Sequence, residues 1–275
     1  MNCFKNTRRG GVFHLASLLI ISGWLAIFSA SCNRNSTGNE MINPEITASV
    51  KPPIDTTKVL NTLDLYRAKR YEGLQAAIEA GADQVHKLVL YGRGMESLSP
   101  EIARLIYLAS LDISHNELRE LPASLSDLHY LQGFYATDNR LTRFPDQILL
   151  LPVLAKIDLS GNQITRIPPE ISVMSQLTRL TIDRNALTSI PVELYGLAHL
   201  SVLELAENGL QTLPEGISGL RSLKKLDLAR NQLKRIPREI ATMNALEELI
   251  IQGNQIPEED IQWLMEAMPG TQIRF

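Results

Sequence analysis

Only two cysteines occur in the 275 residues, Cys3 and Cys32, and both precede the main body of the chain. That excludes a disulfide framework and a Cys-rich metal site from everything after them. Aromatic residues are scarce at 5%, although apolar residues reach 44%, so a core has to be built from aliphatic side chains. Basic charge is also short. The net charge is -3, and setting aside Lys5, Arg8 and Arg9, the only charged groups among the first 31 residues, leaves -6. Nucleic acid favours a clustered basic face, and the sequence offers none. The five histidines, His14, His86, His115, His129 and His199, form no ligand pair. G-x-S-x-G, Walker, H-E-x-x-H and cysteine-nucleophile signatures are all missing. A non-enzymatic chain with no metal or cofactor is the expectation.

What the sequence does have is a period. Asn116, Asn139, Asn162, Asn185, Asn208, Asn231 and Asn254 follow one another at intervals of 23 residues, without insertion or deletion. Pro122, Pro145, Pro168, Pro191, Pro214 and Pro237 keep the same step. The frame around each asparagine is plain in Leu223-Lys-Lys-Leu226-Asp-Leu228-Ala-Arg-Asn231-Gln-Leu233-Lys-Arg-Ile236-Pro237. Leu226 and Leu228 alternate with polar neighbours, as on a strand with one buried face. The asparagine falls where the chain leaves that strand. A buried turn there would strand backbone N–H and C=O groups at about 1–3 kcal/mol each. An amide donates and accepts, so each Asn is expected to bond its own loop and the next coil. Leu118, Leu141, Ile164, Leu187, Leu210, Leu233 and Ile256 pack beneath the turn, and Leu121, Phe144, Ile167, Ile190, Leu213 and Ile236 fill the far side. Proline after each of the latter fixes φ and donates nothing, which suits an irregular wall rather than a second sheet. One such coil buries little; stacked coils make the core continuous.

L-x-x-L-x-L-x-x-N at a fixed period of 20–29 residues is the signature of leucine-rich repeats. From about residue 85 to 275 the chain resembles that family, in the subclass whose motif continues L-x-x-[LI]-P-x-x-[IL]. The resemblance implies an α/β solenoid: a horseshoe with a parallel concave sheet of about eight strands and helical caps at both ends. It also implies binding of a protein partner, because this subclass is similar to scaffold proteins that bind small GTPases and to plant disease-resistance sensors.

The first 31 residues read as an export signal, with Lys5, Arg8 and Arg9, an apolar run from about Val12 to Phe28, and then Ser29, Ala30 and Ser31. Cys32 directly after these small residues resembles the bacterial lipoprotein box, with Ser29 standing where that family usually has Leu. The resemblance implies a lipid on Cys32 and a membrane-anchored, periplasmic or outer-membrane protein of a bacterial envelope. Secretion after ordinary cleavage, or an uncleaved signal anchor, is the alternative. Residues 32–56 are polar, with three prolines and no period, and are expected to form a disordered tether. Its 24 residues after the cysteine span roughly 27 Å by flexible-coil scaling.

Residues 57–84 carry two helical stretches with a break near Tyr71 to Gly73 and are expected to cap the solenoid. The repeats then run from 85 to 257. After Asn254-Gln-Ile256 the frame fails, and residues 258–275 read as a second cap. Its helix is expected to bury Ile261, Leu264, Met265 and Met268, Trp263 is expected to pack against the cap, and Thr271 to Phe275 could add a closing strand. Three outward columns should line the concave sheet. Adjacent acids and bases there, such as Lys156 and Asp158, are expected to neutralise one another. The less ordinary outward residues are Tyr91, Tyr135, Arg179, Asp183 and Arg184. Tyr and Arg are enriched where partners bind, so these five are the candidate binding residues for an unidentified protein. A structural spacer without a specific ligand is one alternative. A carbohydrate or peptidoglycan binder is another, for which Tyr91 and Tyr135 are the aromatic platforms in the repeats.

Overall fold

The computed structural model describes residues 54–275. The expected export signal, Cys32 and nearly all of the expected tether lie outside the described residues. Helix α1 (Thr62–Arg67) begins at Asn61, whose side chain accepts the N–H groups of Leu63 and Asp64. Strand β1 (Arg70–Tyr71) follows, and helix α2 (Leu74–Ala80) then stops at Gly81, where φ is +92°. Thereafter one three-residue strand opens each coil: β2 (Lys87–Val89), β3 (Ser110–Asp112), β4 (Gly133–Tyr135), β5 (Lys156–Asp158), β6 (Arg179–Thr181), β7 (Val202–Glu204), β8 (Lys225–Asp227) and β9 (Glu248–Ile250). A four-residue helix, α3 (Asp146–Leu149), lies between β4 and β5. The C-terminal cap is helix α4 (Glu258–Ala267) followed by β10 (Gln272–Arg274).

All ten strands form one parallel sheet in chain order. From β2 to β9 each residue pairs with the one 23 positions later, as Lys87 with Ser110 and Lys225 with Glu248. The sequence led us to expect about eight strands; the caps supply two more. β1 occupies the stretch read only as a break between helices, and it pairs Arg70 with Lys87. Two residues are too few to show a period, so this strand exists because the open edge of β2 needs partners for its backbone groups.

The wall opposite the sheet is made of short 3₁₀ turns, such as Ala123–Asp127, Pro169–Val173 and Val192–Gly196. Pro122, Pro168 and Pro191 immediately precede these turns at φ between -66° and -74°. Each proline keeps its carbonyl for the turn and gives up no N–H it would have needed; Leu125 N–H, for example, donates to the Pro122 carbonyl at 3.0 Å. Between sheet and wall runs one largely aliphatic core, from Ala77 in α2 to Met268 after α4, with Phe134, Phe144 and Tyr195 as its aromatic members. Burying it depends on the neighbouring coil, since a single coil leaves both its sides open.

In α4, Leu264 and Met268 are buried, and Ile261 packs partly against the core. Met265, expected on the same stripe, is 50% exposed. It stands one residue, about 100° of rotation, past Leu264, so both cannot face one narrow contact. Glu258, Glu259 and Asp260 occupy the first turn of the helix, where its dipole favours negative charge.

Candidate functional site: the concave sheet and its rim

The asparagines hold the coils in register. In Asn162, Oδ1 accepts the Leu141 N–H at 3.0 Å, and Nδ2 donates to the Ala136 carbonyl at 2.9 Å and to Leu159 at 2.9 Å. The same pattern recurs at Asn139, Asn185, Asn208 and Asn231. At Asn254, Oδ1 accepts the Leu233 N–H and Nδ2 donates to Leu228. Each amide therefore reaches back to the preceding coil, not forward to the next as the sequence reading had it. The direction follows from where the asparagine sits, at the end of a strand whose neighbour's turn has already closed beneath it. Asn116 serves the degenerate first repeat, where Arg93 replaces the asparagine, and accepts both the Arg93 and Met95 N–H groups.

Immediately before the asparagines runs a column that the sequence reading missed. Gly92, His115, Asp138, Gly161, Arg184, Glu207, Arg230 and Gly253 all have φ between +48° and +72°. L-residues pay about 1–2 kcal/mol for this left-handed conformation, and glycine does not. Glycine at three of these places, always one before the repeat position, was the available signal. The side chains of the others line one rim of the sheet. His115 Nε2 lies 3.2 Å from one Asp138 oxygen, and Arg184 reaches the other at 3.2 Å. Arg184 does so across Gly161, where any Cβ would come within 2.0 Å of Asp138 Oδ1. Farther along, Arg230 meets Glu207 at 2.9 Å. Tyr91 lies against His115, ring centroids 4.5 Å apart. Arg184 thus belongs to the rim, with Tyr91 beside its network, and not to the sheet face where the sequence placed it.

On the sheet itself the columns sort by charge. Lys87, Lys156, Arg179 and Lys225 stand at strand starts and Asp112, Asp158, Glu204 and Asp227 at strand ends; Glu248, at the start of β9, departs from this and pairs with Arg274 at 2.7 Å. Asp112, Asp158 and Asp227 each turn Oδ1 to the N–H two residues on, at 3.0 Å. The expected neutralisation of Asp158 by Lys156 does not occur; among the described residues Lys156 has no ion-pair partner. Glu204 is the exception, holding Lys225 at 2.5 Å, Arg179 at 3.5 Å and the Thr181 hydroxyl at 3.0 Å. Burial is the largest influence on Glu204 and pushes its pKa up, but these three partners together pull it below the usual value.

Asp183 has no such help. Burial pushes its carboxyl from 3.8 to about 7; the Ala206 N–H at 2.7 Å opposes that, and Glu204, Asp227 and Asp158 add to it. Tyr135 lies along its own strand over Gly133, whose missing Cβ would sit 3.1 Å from the ring. Burial, then Asp158 and Asp112, raise the Tyr135 phenol above its ordinary value. The outward columns are less open than expected: Val89, Ser114, Ser160, Thr181, Ala229 and Ile250 are buried. Short side chains on a concave surface are overhung by longer neighbours. What remains accessible is a shallow floor flanked by the charged strand ends and the rim. Tyr135 and Arg179 are brought together on it, close enough for the guanidinium to act on the phenol, whereas Asp183 stands past the end of β6 beside Ala206. Among the described residues no group of three or more His, Cys, Asp or Glu could hold a metal ion, and no helix is long and apolar enough to cross a membrane.

Models of the leucine rich repeat match residues 152–210, 175–233 and 199–256, and a second such model matches residues 107–128. No curated protein matches the chain. Among solved structures, an internalin (inlF) from Listeria monocytogenes is 26% identical over 65% of this chain and 50% of its own, with a TM-score of 0.58. The ectodomain of the Arabidopsis receptor kinase HAESA, solved with an IDA peptide hormone ligand, is 31% identical over 62% of this chain and 30% of its own, with a TM-score of 0.54. Internalin C2 of the same Listeria is 22% identical over 70% and 80%, with a TM-score of 0.62, and shares the fold. The chain thus spans about half the length of the first internalin and less than a third of the receptor ectodomain. With a 23-residue period, an asparagine ladder, a parallel sheet in chain order and these matches, the chain is a leucine-rich repeat protein.

Proposed function

We propose that this protein is a non-enzymatic binding module, tethered through a lipid on Cys32 to a membrane of a bacterial envelope, that captures a protein or an extended peptide on its concave sheet. The observation that carries the reading is the sheet face itself. It presents rigid rows of side chains about 4.8 Å apart from coil to coil, with Tyr135 laid flat over Gly133 and the carboxylates of Asp112, Asp158 and Asp183 free of cations among the described residues. A partner bound there orders little of this chain, so few of its contacts are offset by lost freedom. The peptide hormone bound by the HAESA ectodomain supports a peptide or protein as the class of ligand. The wall of 3₁₀ turns offers no comparable rows.

Position-specific photo-crosslinking tests this. A photoreactive residue in place of Tyr135 should trap a partner in intact cells, and one in place of Glu170 on the opposite wall should not. Tyr135→Ala with Arg179→Ala should weaken capture without changing melting, whereas Glu170→Ala with Glu193→Ala should be neutral. Trapping from position 170 alone would assign the binding face to the wrong side.

A further inference from the structure

A second cleft lies away from the concave sheet, where the limbs of the last two coils leading to the back wall meet α4. Its volume is about 380 Å³, toward the small end of the roughly 300–1,000 Å³ typical of ligand clefts. Trp263 of α4 packs partly against the core, as expected, and forms an aromatic side of the cleft, with the Arg238 guanidinium over the indole ring, 4.6 Å from its centroid. Glu215, Arg235 and Asp260 complete the polar lining. Some opposite charges on neighbouring coils of this molecule pair off, as Arg230 with Glu207 at 2.9 Å and Arg140 with Glu117 at 3.0 Å. Here they do not: among the described residues Glu215, Arg235 and Asp260 make no side-chain hydrogen bond or ion pair, and the indole N–H of Trp263 has no acceptor. The neighbouring wall is nonetheless fixed, because Glu239 Oε1 accepts the N–H groups of both Gly216 (2.5 Å) and Ile217 (2.8 Å).

We infer that this cleft binds a neutral saccharide, a pyranose ring taking with its C–H face the place over the Trp263 indole that the exposed Arg238 guanidinium now holds, with Glu215, Arg235 and Asp260 on its hydroxyls. The chemistry of the lining selects that class. An anion entering the cleft meets Asp260 and Glu215, and a cation meets Arg235 and Arg238, so a ligand of either charge faces repulsion from part of the wall. A hydroxyl both donates and accepts, so carboxylate and guanidinium serve it equally. An indole with one apolar body and one polar edge matches a sugar ring in the same way. The unpaired state of the three charged groups leaves their hydrogen-bonding capacity to the ligand, and Glu239 ties together the two coils that line the cleft. This site stands apart from the concave sheet and does not depend on what that sheet binds.

The test uses the full chain in detergent with Trp24→Phe, which leaves Trp263 as the sole tryptophan reporter. Chitotriose and cellotriose are the probes, with inorganic phosphate and arginine ethyl ester as charged comparisons. At least one trisaccharide should change the Trp263 emission saturably below about 10 mM, a weak but measurable affinity, while phosphate and the arginine ester do not. By calorimetry, Asp260→Asn and Arg235→Gln should each weaken binding several-fold at unchanged melting temperature, and Trp263→Ala about tenfold, the order expected for one aromatic contact. Tyr135→Ala should leave this binding as it is. Because Trp263→Ala could loosen the cap, the two surface variants decide the matter. Absence of saturation by both trisaccharides would overturn the inference, as would tighter binding of phosphate or the arginine ester. So would binding that is indifferent to Asp260→Asn and Arg235→Gln, which would reduce Trp263 to cap packing.

Discussion

Asn185→Leu removes four hydrogen bonds at once, and the structure says which losses matter. Leu159 O keeps a bond from Asn162 at 2.9 Å, Asp183 O keeps the Gly161 N–H at 2.8 Å, and Ile182 O keeps Asn208 at 2.9 Å. The Ile164 N–H has only Asn185 Oδ1, at 2.9 Å, and is left without an acceptor beside a fully buried side chain. An orphaned buried donor costs about 1–3 kcal/mol, and the second donors withdrawn from carbonyls add about 0.5–1 kcal/mol each where geometry was good. Of those, Leu159 and Asp183 at 3.0 Å count and Ile182 at 3.4 Å counts for little. The expected loss is about 2–5 kcal/mol, or roughly 4–20 °C in melting temperature for a domain of this size. Asn185→Asp isolates the donor role: it returns an acceptor to Ile164 but sets a carboxylate oxygen against three carbonyls, so it should destabilise to a similar degree. Exposed Thr188→Ala, three residues away, should stay within about 0.5 kcal/mol. Urea denaturation followed by circular dichroism gives the comparison. Equal midpoints for Asn185→Leu and Thr188→Ala, or a fully stable Asn185→Asp, would refute the claim that the amide ladder holds the coils.

Three further outcomes are expected. Asp183 binds its proton more tightly in the folded state, near 7, than at the ordinary 3.8, so its contribution to stability is lost as pH rises from about 4 through 7. Asp183→Asn keeps an oxygen for the Ala206 N–H and removes the charge; it should stabilise by about 1–2 kcal/mol above pH 7 once solvent screening is allowed for, and be neutral near pH 4. A pH-independent effect in the melting series would contradict this. Gly161→Ala places a Cβ in a left-handed residue and displaces Asp138, costing about 1–2 kcal/mol; in that background Arg184→Ala should have no further effect, and an undiminished effect would mean the rim bridge is not displaced. For the anchor we propose, Cys32→Ser should abolish incorporation of labelled fatty acid and retard cleavage in a lipoprotein-competent host, and a wild-type chain that takes up no label would rule the anchor out.

The sequence by itself determined the coil. A 23-residue period with Leu226 and Leu228 inward, Asn231 at the turn and Ile236-Pro237 on the far side allows one closed path per repeat, because each column has a single environment in which it can be buried or satisfied. The helical C-terminal cap was legible for the same reason, from Pro257 and the acids after it. What needed the tertiary structure was everything set by a neighbour rather than by the column. β1 exists because β2 has an open edge, and Met265 is exposed because α4 presents only a narrow stripe to the last coil. The asparagines bond backward because of stacking order. On the proposed binding face, Tyr135 and Asp183 were readable as outward residues, yet the ring's seat on Gly133 and the proton held near pH 7 come from residues 2 and 21–44 positions away. Arg184 moved from sheet to rim because its left-handed backbone turns it toward Asp138 across a glycine. A repeat specifies what its own residues bury; which charges meet, and which are left open to a ligand, is decided only when one coil lies against the next.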